Sequence, residues 1–326
     1  MKSRFITYSE SIREATQQAL KISKDVMVMG QLINGKHGVF GTTTNLHKEF
    51  GKNRVREFPV SESLMTSAAL GAAIDGRRVI LVHIRLDFML YSMDAIVNWL
   101  SLWRFKSFGK SSVPVVIRAI VGKGWGNGPQ HSKSLHSWFA NLPGFQVVLP
   151  TNAFDAKGML IESIFSNDPT IFIEHRSFFN LKDYVPAEPY RICLGKCKVL
   201  TKGKDISIVA IGYGVLPSMQ AAKILEKKDI SAEVIDVRSL YPLDIKTILK
   251  SVRKTKNIIV VDPGWKSFGA SSEIISLITE NNANKQNIKY AKLTYPDSHT
   301  PMSENLEKKY FFDAMKIVSK VRNMVK

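Results

Sequence analysis

His131 follows a run in which Gly122, Gly124, Gly126 and Gly128 alternate with Lys123, Trp125 and Asn127, and Pro129 closes it. Glycines at this density allow positive φ angles and close backbone approach to a ligand. A histidine leaving such a loop just before a new helix can reach a pocket and move a proton near neutral pH. The alternative is an ordinary histidine on a surface loop. Glu62 ends Pro59-Val-Ser-Glu62, ahead of an Ala-rich segment. In one reading Ser61 caps the helix and Glu62 adds a favourable first-turn charge. In the other Glu62 is a buried carboxylate exchanging a proton with a ligand. Phe88, in Asp87-Phe88, either fills the core or stacks on a heterocycle. Gly212-Tyr-Gly214 is a weak nucleotide signal without the third glycine of the dinucleotide pattern, and no phosphate loop ending in Gly-Lys-Ser/Thr occurs. His37, His47, His83, His136, His175 and His299 show no metal-ligand spacing, and Cys193 with Cys197 complete no zinc set.

The elements that must position these residues follow from periodicity. Helical spacing is expected over 9–23, 63–74, 93–105 and 153–165, and short apolar strands over 26–29, 79–84, 113–121, 145–149 and 170–174. Continuously apolar strands alternating with helices imply a parallel sheet covered on both faces. Residues 182–195, with Pro186 and Pro189 and no apolar period, read as a linker. The alternation restarts with strands at 205–211, 232–237, 258–262 and 288–294 and helices at 216–228, 244–254, 271–280 and 312–325. The fold class is therefore α/β, two parallel-sheet sandwiches in series, with domains at 1–187 and 188–326. Ligands of such sheets sit at the carboxyl ends of the strands.

The formal net charge of the 326 residues is +18. The excess is dispersed over both halves, and no nucleic-acid motif accompanies it, so it reads as a Lys-rich surface with anionic ligands or partners. The first residues, Met1-Lys2-Ser3-Arg4-Phe5, precede no apolar run, and no stretch nears the roughly 18 apolar residues of a membrane helix. A cytoplasmic protein is expected, with neither a membrane nor a nucleic acid among its partners.

An ordered set of segments resembles the beta subunit of thiamine-diphosphate-dependent 2-oxo-acid dehydrogenases of the pyruvate and branched-chain type. The set is Gly38-Val-Phe-Gly41, Pro59-Val-Ser-Glu62, Asp87-Phe88, Asp94-Ala-Ile-Val-Asn98, Gly128-Pro-Gln-His-Ser132, Asp155-Ala-Lys-Gly158, Asp168-Pro-Thr-Ile-Phe172, 236–244 and Val260-Val-Asp262. The resemblance implies a pyrimidine-binding domain followed by a transketolase-type C-terminal domain. It makes Glu62 the carboxylate that hydrogen-bonds the cofactor's aminopyrimidine, Phe88 the aromatic packed on that ring, and His131 a proton-handling histidine. Val115, Ser163, Ile164, Ser166 and Asp168 fall where some relatives hold a potassium ion. No Gly-Asp-Gly occurs, so Mg²⁺ and the diphosphate are expected on a separate alpha subunit in an α₂β₂ heterotetramer, with a lipoyl acyltransferase core as further partner and a small 2-oxo acid as substrate. Relatives carry an acid where Gln31 stands in the cofactor region, Arg85 is an unusual charge at its depth, and Asp262-Pro263 replaces Asp-Glu. These departures leave a split transketolase-like carbon–carbon ligase as the alternative.

Overall fold

The computed structural model describes residues 4–124, 126–282 and 287–325; Met1–Ser3 and Trp125, both used in the sequence reading, lie outside these. Two compact units emerge, Met1–Lys123 with Trp138–Leu194, and Gly124–Ser137 with Gly195–Lys326. Gly126, Gly128 and His131 thus belong to the second unit, whereas Gly122 and Lys123 belong to the first.

In the first, β1 (Phe5–Thr7) leads into α1 (Tyr8–Ile22), whose start is fixed by reciprocal hydrogen bonds between Thr7 and Glu10. There follow β2 (Val26–Gly30), α2 (Leu46–Phe50), β3 (Val55–Glu57), α3 (Glu62–Ile74), β4 (Arg78–His83), α4 (Leu86–Met89), α5 (Trp103–Lys106) and β5 (Val115–Val121). After α6 (His136–Ala140) come β6 (Gln146–Val148), α7 (Ala153–Phe165), β7 (Thr170–His175) and β8 (Lys182–Tyr184). The strands of this unit lie in the order β6-β7-β5-β4-β2-β3, all parallel. Every residue of β5 and β7 is buried, as a sheet covered on both faces requires.

Two segments differ from expectation. The single helix expected over 93–105 is instead a widened turn over Asp94–Leu100, with Ser101 N donating to Ile96 O, followed by α5. Trp99, Leu102, Phe105 and Phe108 stay exposed, so this face is not packed as an amphipathic helix would be. The linker is strapped down: β8 pairs antiparallel with β1, Tyr190 Oη donates to Phe154 O at 2.7 Å, and Ile192 N donates to Gly158 O at 3.2 Å. A Cβ on Gly158 would lie 2.6 Å from Ile192 Cγ1, so glycine is what admits the strap. Residues up to Leu194 accordingly stay with the first unit, beyond the 187/188 boundary read from the prolines.

The second unit contains β9 (Lys198–Thr201), β10 (Ile206–Ala210), α8 (Val215–Glu226), β11 (Ala232–Asp236), β12 (Ser239–Tyr241), α9 (Ile245–Thr255), β13 (Asn257–Trp265), α10 (Ala270–Glu280), β14 (Lys289–Tyr295), α11 (Glu304–Tyr310) and α12 (Ala314–Val325). Its sheet runs β14-β13-β10-β11-β9, parallel except for the edge strand β9. Gly212-Tyr-Gly214 forms one tight turn into α8, where a Cβ on Gly214 would meet Val261 O at 2.8 Å; close packing accounts for that glycine. Among the described residues no helix is long and apolar enough to cross a membrane.

Candidate functional site

The carboxyl edge of the first sheet gathers most of the chemistry-bearing residues. Gln31 follows β2, and its side chain is 2% exposed with Nε2 lacking a hydrogen-bond partner. Glu62 is the first residue of α3 and half-buried rather than buried. Ser61 occupies the cap position, but its side chain makes no capping hydrogen bond. Its extended φ of −156° starts the helix without that help. Phe88 lies within α4, half-buried.

The α3 helix is held in place by polar contacts one turn beyond Glu62. Thr66 Oγ1 donates to Ser92 Oγ at 2.9 Å and lies 3.2 Å from His83 Nε2, while Ser63 Oγ donates to Tyr91 O at 2.8 Å. His83, at the end of β4, is buried, and burial pushes its pKa down to about 3, so it is a neutral imidazole. Its Nδ1 is buried without a partner. His175 ends β7, and burial together with Lys123 likewise lowers it to about 3. Both histidines were passed over in the sequence because neither sits in a motif; only their positions at strand ends hinted at the edge.

His131 lies in the second unit, half-buried, with Nδ1 3.2 Å from Asn127 O. Ser132 beside it is 3% exposed, with a hydroxyl lacking a partner. Five residues on, His136 Nε2 sits 2.8 Å from Asp262 Oδ1, and Ser134 Oγ lies 3.0 Å from His136 Nδ1. Ala270 N donates to Ser137 Oγ at 2.9 Å. The segment carrying His131 is therefore fastened to the start of α10 and to β13. Asp262, the member of the Asp262-Pro263 pair shared with relatives, serves an internal histidine; nothing in this contact explains Pro263. Burial works against the charged Asp262, yet His136 and the N–H groups of Gly264 and Ser271 hold its carboxyl below the usual carboxylate range.

Two of the carbonyls in the segment expected to hold potassium accept from an arginine. Arg78 Nη1 donates to Ile164 O at 3.2 Å and to Ser166 O at 2.8 Å, and Nη2 donates to Asn167 Oδ1 at 2.9 Å. Asp168 pairs with Arg104. A guanidinium already brings these two carbonyls the positive charge that a metal ion would bring, and it repels a second cation alongside. Among the described residues no group of three or more His, Cys, Asp or Glu could hold a metal ion. The chain thus suits an uncharged heteroaromatic ring, with one carboxylate, one aromatic and one buried amide with an unpaired N–H.

Residues 4–181 match the family model of the transketolase pyrimidine binding domain, and residues 195–317 that of the transketolase C-terminal domain. The beta subunit of an acetoin:2,6-dichlorophenolindophenol oxidoreductase from Bacillus subtilis is 34% identical, over 97% of this chain and 96% of its own. A pyruvate dehydrogenase E1 component subunit beta from Staphylococcus aureus is 38% identical, over 84% of this chain and 85% of its own. A solved split-gene transketolase, in an inactive beta4 tetramer, has a TM-score of 0.81 at 21% identity and covers 98% of each chain. That likeness is one of fold.

Proposed function

Since this chain belongs to the transketolase-like family of pyruvate and acetoin dehydrogenase beta subunits, we propose that it supplies the aminopyrimidine half of a thiamine diphosphate site that an alpha subunit completes. One arrangement carries the reading: Gln31, Glu62 and Phe88 all leave the carboxyl edge of one parallel sheet. Bound thiamine diphosphate supplies a ring carbon that adds to a carbonyl and takes up the electron pair of a breaking carbon–carbon bond.

The protein's part is binding, orientation and proton control. Glu62 would hold the pyrimidine through its carboxylate and exchange a proton with it. Phe88 presents a ring face to the pyrimidine, and Gln31 offers its unpaired N–H where relatives carry an acid. His131, whose Nδ1 lies 3.2 Å from Asn127 O, handles a proton of the substrate or acyl acceptor. Mg²⁺ and the diphosphate fall to the alpha subunit, in an α₂β₂ assembly that docks on a lipoyl acyltransferase core in the cytoplasm. Potassium is no part of this reading. Exposed Phe105 and Phe108, 85% and 90% accessible, fit a subunit contact.

The substrate reading is pyruvate or a related small 2-oxo acid, with acetyl transfer to lipoamide. Acetoin is the second reading, favoured by a relative that spans 97% of this chain. Co-expression with its alpha partner and assay of dye reduction separates them. Turnover of pyruvate supports the first, and turnover of acetoin alone the second. Activity only with ketose phosphates returns the split transketolase. A Glu62→Ala enzyme with full activity overturns the proposed chemistry.

A further inference from the structure

Arg85, the charge that the sequence left without a purpose, has a companion. Arg85 follows β4 and Arg176 follows β7, so both leave the carboxyl edge of the first sheet. Their guanidinium carbons lie 5.3 Å and 4.7 Å from the centroid of one ring, Phe40, and Arg176 lies 5.0 Å from Phe179 as well. Among the described residues neither forms an ion pair. Arg85 Nη1 donates only to Ile84 O, the carbonyl of the preceding residue, at 3.2 Å, and Arg85 Nε is buried without a partner. The guanidinium of Arg176 makes no hydrogen bond among them.

Both cations are half-buried, and they repel each other; Asp87 offsets Arg85 in part. Glu174, two residues before Arg176, is committed to Arg118 in a fully buried pair, Nε to Oε1 at 2.6 Å and Nη2 to Oε2 at 3.0 Å. Lys123 and neutral His175 add no negative charge nearby. Two planar forks held on one aromatic ring, unpaired and partly desolvated, are matched to a carboxylate or phosphate, which accepts parallel charge-assisted hydrogen bonds.

We propose that Arg85 and Arg176, stacked on Phe40, form an anion receptor for the carboxylate or phosphate of the compound processed at this sheet edge. The inference rests on the placement of the cofactor ring at Glu62 and Phe88 only for the word "processed"; anion binding stands without it. It makes an anionic substrate, a 2-oxo acid or a phosphorylated ketose, a better fit than uncharged acetoin.

The test uses the full chain and an arginine-directed dicarbonyl reagent, with labelled sites mapped by peptide mass spectrometry. Inorganic phosphate and succinate are the probes, and sodium chloride at equal ionic strength is the control. Labelling of Arg85 and Arg176 together should slow about fivefold or more with phosphate or succinate. Arg85→Gln should abolish protection of Arg176, and Arg176→Gln that of Arg85, with the melting temperature checking that each variant folds. No protection, or protection equalled by chloride, overturns the receptor. Protection by thiamine diphosphate alone overturns the substrate assignment, because the anion is then the cofactor's. In the assembled enzyme, Arg85→Gln should raise KM for a 2-oxo acid or ketose phosphate about tenfold more than for acetoin. Protection by phosphate without turnover of any 2-oxo acid keeps the receptor and sinks only the dehydrogenase reading. Stronger protection by succinate than by phosphate assigns the receptor to a carboxylate, and the reverse order to a phosphate.

Discussion

His136 Nε2 stands 2.8 Å from Asp262 Oδ1, with both side chains wholly buried and 126 positions apart in sequence. Asp262 also accepts from Gly264 N at 2.8 Å and Ser271 N at 2.9 Å, so its charge is met on several sides, as a buried carboxylate needs. Removing one member leaves the other buried and uncompensated. Asp262→Ala should cost about 3–5 kcal/mol in chemical denaturation. Its folded pKa lies below the unfolded one, so this stabilisation is complete above about pH 4 and is lost as pH falls through the lower, folded value. The melting temperature of the native chain should therefore drop on acidification below pH 4 more steeply than that of Asp262→Asn. Equal slopes would show that Asp262 is not ionised in the fold.

The same segment bears His131. Loosening its anchor should reach the chemistry without touching it: His136→Gln should lower kcat of the assembled enzyme more than it raises KM. A change confined to KM would place the anchor's effect on substrate binding.

Glu62→Gln should reduce turnover of the assembled enzyme by about 10²–10⁴-fold, the range for a lost proton-transfer group. Glu62 is half-buried and makes no capping contact through Ser61, so the melting temperature should move little. A large fall in melting temperature would assign Glu62 a structural role instead.

Arg78 makes an ion-binding contribution of its own. Exchanging KCl for NaCl or tetramethylammonium chloride at fixed ionic strength should leave the melting temperature unchanged. Arg78→Met strips donors from Ile164 O, Ser166 O and Asn167 Oδ1 and should cost about 1–3 kcal/mol. A potassium-specific rise in stability of the native chain would show that a metal still binds there.

Glu174→Gln should destabilise the first unit by about 3–5 kcal/mol, because it strands the fully buried Arg118 between β5 and β7. Replacing both by apolar residues of similar size should restore most of the loss. A double variant as unstable as the single one would mean the pair specifies more than its own neutralisation.

Much of the fold was legible because its determinants are local. Ile258–Val261 is an unbroken apolar run and Val115–Val121 one interrupted only by Arg118, the pattern that burial on both sheet faces requires. Glu62 and Phe88 were legible as members of ordered motifs, and His131 through its glycines. What tertiary structure alone decided depends on distant residues brought together. Arg78 meets carbonyls 86 and 88 positions away, His136 meets Asp262, and Arg85 meets Arg176 over Phe40. No periodicity encodes such pairings, because each is fixed by how strands are ordered in a sheet. Sequence determined which elements form and which chemistry they carry. Only the folded chain decided which charges are already spent on one another and which stand ready for a ligand, since that depends on the distances between them.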